Sequence, residues 1–133
     1  MGKVLSIDYG RKRIGVAVSD EENIFAFSEP VITDTIWSKL YSKLLATIKF
    51  HKPTKIVIGY PLGLDMKPTQ MSLEVDHFIE NLKQEFAIEI LKWNEVGTSQ
   101  LASINFRHKK TQAIDSESAR IILKEYLDYI NSK

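Results

Sequence analysis

Cysteine is absent from the 133 residues. That excludes disulfides and thiolate metal sites, and it predicts a reducing compartment. Histidine is scarce, and His51, His77 and His108 lie too far apart in sequence to suggest an imidazole cluster. Excess charge of either sign is missing as well. Eighteen cations against seventeen acids leave a formal charge of +1, so no chain-wide field attracts a polyanion, and any such attraction must come from a local patch. No stretch approaches the roughly 18–20 apolar residues of a membrane-spanning helix, and the N-terminus lacks the apolar core of a signal peptide. A soluble, cytoplasmic protein with no membrane partner is expected. Repeats, low-complexity segments and long linkers are also missing. What remains is an ordinary composition with 44% hydrophobic residues, enough to fill the core of one domain spanning residues 1–133.

The apolar pattern predicts an alternation of strands and helices. Residues 3–9 and 13–19 read as two strands joined by a tight turn at Gly10-Arg11-Lys12, and the branched residues Val4, Ile7, Ile14, Val16 and Val18 suit strands. A third strand covers Ile24–Ser28 and stops at Pro30. Ile36, Leu40, Leu44, Leu45 and Ile48 then recur at helical spacing, with Asp34 or Thr35 as the N-cap and Pro53 beyond the end. Lys55 to Gly59 is a nearly continuous apolar strand of the kind buried in a parallel sheet. A loop over 60–69, a helix marked by Val75, Phe78, Ile79, Leu82 and Phe86, a strand over 88–93 and a helix marked by Ala119, Ile122, Leu123 and Tyr126 follow. The order β-β-β-α-β-α-β-α predicts a mixed five-stranded α/β sheet, three strands of antiparallel meander and two parallel, flanked by helices. That is the order of the ribonuclease H-like fold.

Three carboxylates stand out by position. Asp8 ends the first strand, Glu95 ends the last, and Asp115 opens the final helix. If the first and last strands lie side by side, Asp8 and Glu95 meet at their C-terminal ends and Asp115 joins them from the helix. Crowded carboxylates repel one another and a hard cation relieves that repulsion, so an all-oxygen set suits Mg²⁺ or Mn²⁺. Two such ions, about 3.5–4 Å apart, are a recurring device for in-line phosphodiester cleavage. The cations Arg11, Lys12 and Arg13, with Lys109 and Lys110, are candidate phosphate contacts, and Thr98 and Ser99 offer hydroxyls. Each residue also has a plainer role: Asp8 as a turn former, Asp115 as a helix N-cap, and Arg11-Lys12-Arg13 as a solvated turn. Asp20, at the end of the second strand, reads as structural.

The stretch DYGRKRIGVAVSD, residues 8–20, resembles the opening signature of the YqgF/RuvX family, described as candidate Holliday junction resolvases and as nucleases that mature pre-16S ribosomal RNA. KIVIGYPLGLD, residues 55–65, resembles that family's strand and Gly-x-Pro-Leu-x-x-Asp loop, and DSESARIIL, residues 115–123, resembles its last helix. The resemblance covers nearly the whole chain. It implies a nuclease acting on an rRNA precursor or on branched DNA, as a monomer or a homodimer, with metal bound by Asp8, Glu95 and Asp115. Two departures stand out. Where the family reads Asp-Glu-Arg-x-Thr-Thr, this chain has Asn94-Glu95-Val96-Gly97-Thr98-Ser99, and the family's Asp-Gly-Ser is Asp65-Met66-Lys67. An arginine beside the acid would be a natural phosphate clamp, so its replacement by Val96 motivates an alternative, a catalytically degenerate module that binds nucleic acid or a ribosome precursor.

Overall fold

The computed structural model describes residues 2–95 and 112–132. Strands β1 (Val4–Asp8) and β2 (Arg13–Ser19) form an antiparallel hairpin with Asp8 opposite Gly15. A side chain at Gly10 would collide with the Arg13 carbonyl oxygen, which explains the glycine in this turn. At the other end of β2, the Asp20 carboxylate accepts the backbone N–H groups of Ile24 and Phe25 at 2.8 and 3.0 Å. These bonds, that from Phe25 foremost, hold its pKa below the usual carboxylate range. Asp20 is therefore a turn former, as its sequence position suggests.

Strands β3 (Ala26–Ser28) and β4 (Ile32–Thr33) both pair with β2. Ala17 faces Ser28 while Ile14 faces Ile32, so three steps along β2 correspond to four on the other side. The two are one strand interrupted by a single-residue bulge. Pro30 sits in that bulge, where its missing N–H costs no ladder bond. The expected third strand thus continues past Pro30, and among the described residues the sheet has six strands, β3 and β4 counted apart, where five were expected.

Helix α1 (Trp37–His51) follows. Its N-cap is Ile36, which makes no side-chain cap bond, and not Asp34 or Thr35. Asp34, two residues before the cap, instead accepts the Ile36 N–H at 3.0 Å and pairs with Lys43 Nζ at 3.2 Å. The helix stops at Lys52, whose left-handed backbone (φ 50°) lets its N–H reach the Ile48 carbonyl just before Pro53. His51 at that end meets Glu29 of the bulge at 2.7 Å. Strand β5 (Lys55–Pro61), helix α2 (Gln70–Glu85), strand β6 (Glu89–Glu95) and helix α3 (Gln112–Asn131) complete the described chain. Thr69 and Ser72 close α2 with a reciprocal capping box, so the helix starts five residues before the first apolar marker, Val75.

The sheet order is β3-β2-β1-β5-β6, with β4 on β2. The first and last strands are therefore not neighbours, because β5 lies between them. Each α-β unit adds its strand to the open edge of the sheet, so chain order becomes spatial order. Period-two alternation divides the core into two layers. Leu5, Ile7, Ile14, Val16, Ile56 and Ile58 pack against α1 and α2. Val4, Ala17 and Val57 pack against Ala119, Ile122 and Leu123 of α3. Six large apolar side chains wholly removed from water at roughly 1.5–3 kcal/mol each explain why β1 and β5 hold the centre.

Candidate active site

Asp8 is half-buried at the C-terminal end of β1. It shares strand parity with Val4 and Ser6, which face α3, and opposes Leu5 and Ile7, which face α1 and α2. The Ser6 hydroxyl, fully buried, donates to the Ala119 carbonyl at 2.6 Å. That bond ties the strand to the helix two residues before Asp8. Asp115 stands four residues, about one turn, before Ala119 on α3. It is the fourth residue of the helix Gln112–Asn131, so it does not open the helix and is not its N-cap. Glu95 ends β6 with its backbone opposite Pro61 of β5, one strand further from Asp8 than a side-by-side pairing requires. The side chains of Glu95 and Asp115 lie outside the described residues. Among the described residues no group of three potential ligands gathers. Thr98, Ser99, Lys109 and Lys110 also fall outside them.

The basic turn is only partly available to a ligand. The Arg11 guanidinium is committed to Glu74 on α2, with Nε at 2.9 and 3.1 Å from the two carboxylate oxygens and an NH₂ group in contact as well. Hydrogen bonding from Arg11 holds the Glu74 carboxyl below its ordinary range, and burial with Glu74 beside it pushes the Tyr9 hydroxyl up. Lys12 and Arg13 are exposed, and the Lys12 carbonyl accepts the Asp34 N–H.

Arg11 and Glu74 sit on the rim of a cleft of about 430 Å³ on the face opposite Asp8. Gln70, Leu73, Glu74, His77 and Asn81 line it from α2, and Tyr9, Trp37 and Phe78 close its floor and side. Tyr9 packs on Phe78 with centroids 4.9 Å apart, and Trp37 stands edge-on to Tyr9 at 5.8 Å. Sequence reasoning missed this cleft. Its signal was nonetheless present: positions 70, 73, 74, 77 and 81 form a second helical stripe beside the core stripe of Val75, Phe78, Ile79 and Leu82. A second missed group ties the strand ends together. Asp76 of α2 accepts from the Tyr60 hydroxyl at 2.9 Å and pairs with Lys92 Nζ at 2.6 Å, while Lys92 lies 4.5 Å from the centre of the Tyr60 ring.

The comparisons with known proteins bear on this geometry. In Thermus thermophilus the resolvase RuvC, solved with a Holliday junction substrate, superposes with a TM-score of 0.62 at 10% identity, over 98% of this chain and 96% of that one. The fowlpox virus Holliday junction resolvase gives 0.54 at 15% identity, over 98% of each chain. These establish the ribonuclease H-like arrangement shared with resolvases. Closer relatives appear by sequence. A protein of Maridesulfovibrio salexigens, named a candidate pre-16S rRNA nuclease, is 37% identical over 94% of this chain and 97% of its own. One of Sulfurihydrogenibium with the same name is 38% identical over 98% and 93%. The profile of the RuvX family, described as Holliday junction resolvase, matches residues 2–129, and the chain belongs to that family of nucleases.

Proposed function

We propose that the chain is a metal-dependent endonuclease that cleaves phosphodiester bonds of structured nucleic acid, with Asp8, Glu95 and Asp115 as ligands of two Mg²⁺ or Mn²⁺ ions. The observation that carries this reading is the Ser6–Ala119 bond, which locks strand to helix just before Asp8 and about one turn after Asp115. The donor chemistry fits: a half-buried carboxylate at a strand end and a chain without thiolates favour a hard cation. Such ions, when bound, supply an activated water and neutralise charge on the leaving oxygen. The protein's own part is to hold three carboxylates on rigid elements and to bring phosphates in through Lys12 and Arg13. A cytoplasmic setting suits this role. Among the described residues no helix is long and apolar enough to cross a membrane.

The names of the curated relatives favour processing of a 16S rRNA precursor over junction resolution. Cleavage of a labelled 16S precursor and a labelled four-way junction, side by side with Mn²⁺, with Mg²⁺ and with chelator, tests the reading. We expect metal-dependent cutting of the precursor. Binding of either substrate without cutting at any metal concentration establishes the degenerate alternative that Val96 motivates.

The ion pair at Arg11 yields a quantitative expectation for binding. Each phosphate contact contributes a slope of about 0.7 on single strands and about 0.9 on duplex DNA to the dependence of log K on log salt. Lys12→Ala should flatten the slope by roughly that amount. Arg11→Ala should change it less, because Glu74 already serves as the counterion of Arg11. Glu74→Gln should make the slope steeper. Equal losses for Lys12→Ala and Arg11→Ala would show that Arg11 leaves Glu74 when nucleic acid binds.

A further inference from the structure

We infer that the cleft between α1 and α2 receives an unpaired nucleobase of the substrate strand, so that the substrate carries a single-stranded segment near the site. The inference rests on the nuclease reading for the identity of the ligand and deepens it. Three observations carry it.

The first is the chemistry of the walls. Trp37, 38% exposed, and Leu73, 58% exposed, both line the cleft and give it an aromatic and an aliphatic surface. The carboxamides of Gln70 and Asn81 and the imidazole of His77 line the same cleft. A flat aromatic platform with several polar donors and acceptors matches a base with its Watson–Crick edge free, which is how single strands are read. A lipid tail would leave those polar groups without partners.

The second is location. Tyr9, on the cleft floor, directly follows Asp8, and by strand alternation the two residues face opposite sides of the sheet. A strand whose phosphate lies at Asp8 therefore reaches the cleft by passing over the Gly10-Arg11 turn. The base that enters it belongs to the strand whose phosphate lies at Asp8.

The third is rigidity. Trp37 stacks at 5.8 Å on Tyr41 and stands edge-on to both Tyr9 and Phe78. A platform held from three sides loses little freedom when a base stacks on it, and preorganisation of this kind favours binding.

The test uses the full chain without metal, so it does not depend on cleavage. Trp93→Phe leaves Trp37 as the sole tryptophan, since the chain has two. Titration with a short single-stranded RNA should quench its fluorescence, and a fully paired duplex of the same sequence should quench it much less. Trp37→Leu should weaken single-strand binding about tenfold, in keeping with the roughly 1–3 kcal/mol of one base–aromatic stack, and leave duplex binding unchanged. Gln70→Ala, at an exposed position, should weaken it less and without any change in melting temperature. Equal quenching by single strand and duplex would overturn the inference, and so would single-strand binding indifferent to both Trp37→Leu and Gln70→Ala. If the protein quenches as expected but never cuts, the cleft stands and the nuclease reading fails. If it cuts but Trp37 is indifferent, the nuclease reading stands and the cleft inference fails.

Discussion

Asp8→Asn should abolish cleavage while nucleic-acid binding persists. The substitution keeps the side chain's shape at the end of β1 and removes one negative charge from the proposed metal site. Asp8 is half-buried, and the strand that carries it is fixed by Leu5 and Ile7 on one face and by the Ser6–Ala119 bond on the other. The amide therefore stays in place, and the change is one of charge. Metal ions contribute several kcal/mol of transition-state charge stabilisation in this chemistry. A loss of about 4 kcal/mol is about a thousandfold in rate. Binding should hold or tighten slightly, because the phosphate no longer meets that carboxylate. The checks are single-turnover cleavage of the labelled precursor with Mn²⁺ and a filter-binding isotherm of the same variant. Undiminished cleavage would assign Asp8 to the turn alone. Val96→Arg, which restores the arginine of the family pattern, should raise the rate in the wild-type background and leave Asp8→Asn inactive, since an arginine can stabilise developing charge but cannot replace a metal ligand.

The central layers of the fold were legible because their signals are local. Strands β1 and β5 are short apolar runs bounded by turn residues, and Lys55 to Gly59 has only one strand-like reading. The helices announce themselves through Leu40, Leu44, Ile48 and through Val75, Phe78, Ile79, Leu82, whose spacing matches one buried face. What escaped was set by competition among hydrogen bonds. Helix α2 extends back to Gln70 because Thr69 and Ser72 exchange side-chain bonds, a capping box without the usual acid. Helix α3 extends back to Gln112, so Asp115 lies within the first turn and not before it. The bulge at Pro30 depends on register across two strands, which no single segment records.

The candidate site was legible in part for the same reason. Asp8 could be picked out because a carboxylate at the end of a strand carrying Val4, Leu5 and Ile7 is a local anomaly. Its relation to Glu95 could not, because adjacency in a sheet depends on the whole order of strands, and β5 intervenes. Two steps across a sheet span roughly 9–10 Å between backbones, so ligands on β1 and β6 have to reach toward each other across β5. The pairing of Arg11 with Glu74 was equally hidden, since 63 residues separate them in the chain. Without that pairing, three consecutive cations look equivalent; with it, Arg11 is set apart by its carboxylate partner although all three are exposed.

Phe78→Ala should lower the melting temperature by roughly 10–20 °C, the largest stability effect expected at the cleft. Phe78 is only 2% exposed and belongs to the core between the sheet and α1 and α2. Its ring meets Tyr9 at 4.9 Å, Trp37 at 6.2 Å and Tyr41 at 6.4 Å, so one side chain supports every aromatic residue around the cleft. Truncating a buried phenylalanine costs about 3–5 kcal/mol, a large share of the roughly 5–15 kcal/mol that holds a domain together. For a domain of this size each kcal/mol shifts the midpoint by a few degrees, about 3–5 °C. The cost should lie near the upper end. Tyr9 is held by Glu74 and by the β1–β2 turn, and Trp37 by the start of α1, so neither ring can settle far into the vacated space. Phe78→Leu, which keeps most of the volume, should cost less than about 1.5 kcal/mol. Circular-dichroism melts of the two variants provide the measurement. A midpoint for Phe78→Ala within a few degrees of wild type would mean that the rings collapse freely onto one another. The floor of the cleft would then be a loose apolar cluster with no rigid surface to present to a base.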